Sequence, residues 1–155
     1  MKTVIAAFLA AVSVGSAASN AGDALTAVLN AVGNDCENVG IVEVDASNAF
    51  VLGLDEDDFD NILSAVATVE ASADGSAKAL VVASGKSYAK KIYEKMWKNY
   101  EFPACDNADK IIFLRYGDVV AFFKGTSANV DAYARAFGDV YGAEAMKILK
   151  NPAKN

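Results

Sequence analysis

A glycine, a lysine and a serine follow an apolar run in the stretch ALVVASGKSYAKK, residues 79–91. This order is typical of a phosphate-binding loop, in which backbone N–H groups between a strand and a helix wrap a phosphate. Such a loop needs a second glycine five positions before Gly85, and Leu80 stands there instead. We therefore interpret the stretch as a strand-to-helix hinge, and Ser87 is the predicted N-cap of the helix.

None of the 155 residues is a histidine. This excludes Ser-His and Cys-His activation of a nucleophile, and it removes the commonest transition-metal ligand. Lys86 with Ser84 or Ser87 could imitate a Ser-Lys pair, but adjacent positions do not supply the required geometry. A metal site would have to use oxygen ligands, which favours Ca²⁺ or Mg²⁺.

Five acids lie close together in the run DEDDFD, residues 55–60. Acids in a first helical turn stabilise its exposed N–H groups and its dipole, so the run predicts the start of a helix. A calcium loop would need the spacing D-x-D-x-D-G, which is missing.

The N-terminus is typical of a secretory signal peptide. Lys2 precedes the apolar segment Val4–Val14, and small residues follow it at positions 16–18. The apolar segment is too short to span a bilayer with ease. We predict cleavage after Ala18, export to the extracellular space or a lumenal compartment, and a mature single domain over residues 19–155 without an integral membrane segment. The alternative is an N-terminal helix of the fold.

Cys36 and Cys105 are the two cysteines. In an oxidising compartment they are expected to form a disulfide. Closing a loop of about 70 residues would stabilise the fold by roughly 4 kcal/mol in the chain-entropy model. Two separate buried thiols are the alternative. Because no C-x-x-C motif is present, we do not expect a thiol–disulfide enzyme.

The formal net charge is −6, and no basic run is present. An acidic domain of this kind is not expected to bind nucleic acid or anionic lipid by electrostatics.

Apolar spacing predicts helices and strands in alternation along the chain. Predicted helices begin at Asp23, within the acidic run, after Gly85 and at Ser127, the last extending to Lys150 with breaks at Gly138 and Gly142. Predicted strands are Val39–Val44, Ala49–Leu54, Ala79–Ala83 and a hairpin of Ile111–Tyr116 and Val119–Phe123 around Gly117-Asp118. This order predicts an α/β/α sandwich, a central mixed sheet with flanking helices.

Three segments between residues 54 and 137 together resemble the TPM domain family. The acidic start is LDEDDFDNILSAVATVE, the strand and helix are ALVVASGKSYAKKIYEKMW, and the loop and hairpin are CDNADKIIFLRYGDVVAFFKG. The chain departs from the family pattern where Ala108 follows Asp106 and Asn107. The usual basic residues after the hairpin turn are replaced by Val119-Val120-Ala121, and the later glycine-rich loop is reduced to Gly125 and Thr126.

The resemblance implies an exported accessory module that binds a protein partner or assembly without catalysis and without a cofactor. It also implies an alternative, an acid-phosphatase-like hydrolase assisted by Ca²⁺ or Mg²⁺. Its candidate oxygen ligands would be Asp106, Asp109, Asp55 and Asp57. Two further alternatives are a structural component of an extracellular assembly and a roadblock-like module, which the early strands would fit.

Overall fold

The structure is a computed structural model that describes residues 20–32, 40–69 and 75–154. The predicted signal peptide and Cys36 lie outside the described residues. The helices are α1 Ala21–Val32, α2 Lys86–Asn99 and α3 Ser127–Val140, and the strands are β1 Gly40–Glu43, β2 Ile62–Val69, β3 Ala77–Ala83, β4 Lys110–Tyr116, β5 Val119–Gly125 and β6 Ala145–Lys150. Short 3₁₀ segments cover Ala46–Leu52, Glu56–Asn61 and Pro152–Lys154.

The six described strands form one sheet in the order β1-β2-β3-β5-β4-β6. All five strand pairings are antiparallel, so the sheet is not the mixed sheet that the sequence predicts. The physical reason is that β6 and β2, which the spacing assigns to helices, supply further antiparallel pairings. The predicted layout of helices around a central sheet is confirmed.

Each face of the sheet has its own apolar core. On the first, which we call the α1–α3 face, Leu25 of α1 and Phe137 of α3 pack against Leu80 and Phe123 of the sheet. On the second, the α2 face, α2 and the first 3₁₀ segment pack against the sheet through residues such as Met96. The chain is therefore layered helix, sheet, helix.

Strand β3 lies at the centre of this arrangement. Every residue from Ala79 to Ala83 is 0% exposed. Alternation along the strand sends Leu80 and Val82 to the α1–α3 face and Val81 to the α2 face. A strand buried on both faces is a continuous apolar run, which is why the sequence predicts it directly.

Residues 62–69 form a strand, where the sequence predicts a helix. The spacing of Ile62, Leu63 and Val66 fits a helical stripe, but in the structure Ala65 faces α2 and Val66 faces α1 and α3. Antiparallel pairing with both β1 and β3 satisfies the backbone of this segment. Period-two burial between two neighbouring strands thus overrides a helical pattern in a run rich in β-branched residues.

Two further predictions of element type are wrong. The second part of the predicted last helix is strand β6, because Ala145–Lys150 pairs with β4 and its exposure alternates along the chain. The predicted strand Ala49–Leu54 is largely a 3₁₀ segment, in which Ala49 and Leu52 are buried three positions apart. The hairpin and the helix after Gly85 are confirmed.

The predicted helix caps are also corrected. Gly85, not Ser87, is the N-cap of α2, and Ser87 lies inside the helix. At α1, Asn20 accepts a hydrogen bond from the Asp23 N–H through Oδ1 at 3.1 Å, so Asp23 lies in the first turn. Both helices therefore begin before the residue that the sequence predicts as the cap.

The core predicts the cost of truncating Phe123. This ring is 0% exposed, stacks on Tyr133 at a centroid distance of 5.6 Å and meets Phe137 edge-on at 6.5 Å. We expect Phe123→Ala to lower the free energy of unfolding in urea by about 3–5 kcal/mol. The control is Phe50→Ala, at an exposed ring, with an expected change within about 0.5 kcal/mol. Equal losses in the two variants would contradict this core.

Candidate interaction surface

The 3₁₀ segment Ala46–Leu52 presents two apolar side chains to solvent. Its start is fixed by a capping box, in which Asp45 Oδ1 accepts from the Ser47 N–H at 2.9 Å and Asn48 Oδ1 accepts from the Asp45 N–H at 2.7 Å. Gly53, with φ of 74°, ends it in the left-handed region that favours glycine. Ala49 and Leu52 pack into the core, and Phe50 and Val51 between them point outwards.

Phe50 is 76% exposed and Val51 is 46% exposed. They border a groove of about 300 Å³ between this 3₁₀ segment and the end of α2. The groove is lined by Phe50–Gly53 together with Met96, Asn99, Tyr100, Glu101, Phe113 and Phe122. We call Phe50, Val51 and this groove the Phe50 surface.

Aromatic contacts form the floor of the Phe50 surface. Tyr100 meets Phe102 and Phe113 edge-on, with centroid distances of 5.0 and 6.1 Å, and Phe113 lies 5.7 Å from Phe122. Edge-to-face geometry of this kind is favourable beyond the area that it buries. The groove floor is therefore built from side chains that are already packed against β4 and β5.

A side-chain hydrogen bond joins the two walls of the groove. Asn99, the last residue of α2, donates from Nδ2 to the Gly53 carbonyl at 2.9 Å. It thereby ties the end of the first 3₁₀ segment to the end of α2. The separation between Phe50 and Tyr100 is consequently fixed by the fold.

A buried ion pair supports the loop that carries Tyr100. Lys124 Nζ lies 2.6 Å from Asp106 Oδ2, and the two side chains are 14% and 3% exposed. Burial alone would lower the pKa of Lys124, but hydrogen bonding to Asp106 and the proximity of Tyr100 raise it above its ordinary value. Burial raises the pKa of Tyr100. Both groups are thus held in their neutral-pH protonation states.

The loop around Asp106 is also fixed through its backbone. Asn151, 1% exposed, donates from Nδ2 to the Asp106 and Ala108 carbonyls at 2.9 and 2.8 Å. Gly75 packs against the carboxylate of Asp106, and a Cβ at position 75 would lie 2.3 Å from Asp106 Oδ1. The close approach therefore requires a glycine at position 75.

The four predicted oxygen ligands are not brought together. Asp106 is bound to Lys124, and Asp109 Oδ2 accepts from the Ser127 N–H at the start of α3 at 2.8 Å. Asp55 lies 2.6 Å from Lys95 Nζ, and Asp57 is exposed. Within the described ranges, no group of three or more acidic or cysteine residues has the arrangement of a metal site.

Lys86 of the Gly-Lys-Ser stretch contributes to a different cluster. Glu144 Oε1 accepts from Arg115 Nη1 and from the Gly117 N–H, both at 2.9 Å, and Oε2 accepts from Lys86 Nζ at 3.2 Å. The Gly117 N–H, with Lys86 and Arg115, lowers the pKa of Glu144 below its ordinary value. Glu144 thus joins the hairpin turn to the start of α2, a role that the sequence did not indicate because the partners lie far apart along the chain.

A second concavity lies beside β1. It has a volume of about 570 Å³, and its lining includes Asp23, Glu43 and Asp45 together with Phe59 and Leu63. The register of β2 shifts between Ile62 and Ser64, and Leu63, within that irregularity, is 58% exposed. This edge of the sheet is therefore acidic.

Comparisons of the chain with protein-family models, with curated proteins and with solved structures found no match. Membership of the TPM family consequently stays a prediction. Among the described helices, none is long and apolar enough to cross a bilayer. The interpretation of the Phe50 surface accordingly depends on its own geometry.

The buried ion pair predicts a large cost for removing one partner. Asp106→Asn leaves the Lys124 charge buried without its counterion, so we expect the free energy of unfolding to fall by about 3–5 kcal/mol. The double variant Asp106→Asn/Lys124→Met removes that charge and should lose less than the single variant. Urea unfolding of both proteins measures the difference. A double variant less stable than the single one would contradict the role of the pair.

The Glu144 cluster predicts a pH dependence. The pKa of Glu144 is lower in the folded protein than its ordinary value of 4.5. The contribution of Glu144 to stability is therefore present above pH 4.5 and is lost as the pH falls below that value. We expect Glu144→Gln to be less stable than wild type at neutral pH, with the difference shrinking in acid. Urea midpoints across this range test it, with Glu56→Gln, at an exposed glutamate, as the control. A difference that grows in acid would contradict the assignment.

Proposed function

We propose that the protein is an exported, non-enzymatic accessory module of TPM type that binds a protein partner through the Phe50 surface. The observation that carries the proposal is the phenylalanine ring, 76% exposed, beside a preformed aromatic groove. Aromatic side chains near a groove are the residues on which protein–protein binding energy concentrates. Fully burying one such ring against a partner contributes about 1.5–3 kcal/mol.

The rigidity of the surface supports the same function. The capping box, the Asn99–Gly53 hydrogen bond and the buried Lys124–Asp106 pair hold the groove walls before any partner arrives. Binding to a preformed groove avoids the entropy of ordering it, which leaves more of the contact energy as affinity. We therefore expect a partner that inserts an apolar side chain between the first 3₁₀ segment and α2.

One feature of the fold agrees with the TPM resemblance and another disagrees with it. Helix α2 and the β4–β5 hairpin are the elements that the resemblance implies. The long helix implied after the acidic start is strand β2 instead. Export and the Cys36–Cys105 disulfide belong to the same proposal, and the exposure of Cys105 leaves its thiol accessible for pairing.

No described contact favours the hydrolase over this function. Asp106 is bound to Lys124, Asp109 to the α3 backbone and Asp55 to Lys95. Asp55 and Asp57 are both exposed. A phosphatase of this type would need them grouped around a metal. The binding module requires no such rearrangement.

A single substitution tests the Phe50 surface. We expect wild-type protein to capture a stoichiometric protein partner from its native compartment, and Phe50→Asp to reduce that capture by at least about tenfold, because a charge would enter an apolar contact. The matched control is Leu63→Asp, at an exposed leucine lining the other concavity. Recovery of the chain alone under gentle conditions would contradict the proposal, as would equal capture by all three proteins.

A further inference from the structure

Strands β1 and β6 lie at opposite edges of the sheet. Among the described residues, β1 pairs with β2 alone and β6 pairs with β4 alone. Each strand therefore presents one row of backbone N–H and C=O groups away from the sheet. Such an edge is a template for pairing with another strand.

The two edges run in opposite directions. Five successive antiparallel pairings separate β1 from β6, and an odd number of reversals leaves the two strands antiparallel to each other. A second copy placed beside the first in the same orientation would therefore present its β6 antiparallel to β1. The new pairing would be antiparallel, like the other pairings in the sheet.

The faces of the two edges also match. Ile41 and Glu43 lie opposite Thr68 and Val66, which places them on the α1–α3 face. Met146 and Ile148 lie opposite Leu114 and Ile112, on the same face. A continuous sheet would thus set Ile41 beside apolar side chains of the next copy. Met146 and Ile148 are 56% and 43% exposed in a single chain.

The charges of the two edges are opposite. Exposed Glu43 and Asp45 make the β1 edge acidic, and among the described residues no cation forms an ion pair with either. Strand β6 has the sequence AMKILK, with two lysines and no acid. Lys150 shares the α1–α3 face with Glu43 by the alternation of side chains. Pairing β6 with a second β6 would instead bring lysines of both copies into one interface.

We propose that copies of this chain associate edge to edge, with β6 of one copy adding to β1 of the next in a continuous antiparallel sheet. The inference goes beyond the proposed function and does not depend on it, because the Phe50 surface is not part of either edge. The interface is heterologous, so growth is not closed at the dimer. Salt weakens it, since its charged pairs lie at the surface.

Sedimentation velocity over a range of protein concentrations tests the proposal. Wild type is expected to exceed the mass of one chain as concentration rises, and to return towards it at high salt. Ile148→Lys blocks the β6 edge with a charge, and Glu43→Lys reverses one of the two acidic charges of the β1 edge. Each variant by itself is expected to remain a single chain, with the circular dichroism and urea midpoint of wild type as evidence of folding.

A mixture of the two variants gives the discriminating result. Ile148→Lys retains its β1 edge and Glu43→Lys retains its β6 edge, so the mixture is expected to form a one-to-one complex that grows no further. Phe50→Lys is the control and should assemble like wild type. The proposal is overturned if wild type stays a single chain at every concentration, if Glu43→Lys forms dimers by itself, or if the mixture forms no complex.

Discussion

The burial of β3 on both faces sets the layout of the whole sheet and its helices. Its residues Ala79–Ala83 are fully buried, so both helical layers have to be present for the strand to be covered. Helices α1 and α3 cover one side, and α2 with the first 3₁₀ segment covers the other. The strands that flank β3 then complete its backbone hydrogen bonding on both sides.

Polar side chains join parts of the chain that this core leaves separate. Glu144 connects the loop before β6 to the hairpin turn and to α2, while Asn151 and the Lys124–Asp106 pair fix the loop that follows α2. Buried hydrogen bonds of this kind contribute modestly when made and cost much when one partner is removed. They therefore determine where the loops lie more than how much stability the core has.

The Phe50 surface and the two edges of the sheet are the parts of the fold that this packing leaves exposed. The Phe50 ring is exposed because the 3₁₀ segment buries Ala49 and Leu52, three positions apart, and no described element covers the Phe50 side chain. The edges of the sheet can pair with a further strand because β1 and β6 are the outermost strands of the described sheet. One surface is an aromatic groove and the others are strand edges, so they suit different partners and can act at the same time.

Segments with strong local signals could be predicted from the sequence alone. Helix α2 and the β4–β5 hairpin follow from a helical stripe and from a Gly-Asp turn between apolar runs. The fully apolar run of β3 likewise predicts a buried strand. The absence of histidine and of a complete phosphate-binding loop can also be read from the sequence. The ion pair between Lys86 and Glu144 could not be predicted in this way.

The other elements and contacts depend on long-range pairing. Residues 62–69 and 145–150 became strands because neighbouring strands offered backbone partners, and single-segment periodicity does not contain that information. The predicted ligand Asp106 became the partner of Lys124 for the same reason, since residues 18 positions apart meet only when the loop folds onto β5. Local pattern fixes which segments are regular, whereas long-range pairing decides which charges meet and which apolar side chains remain exposed.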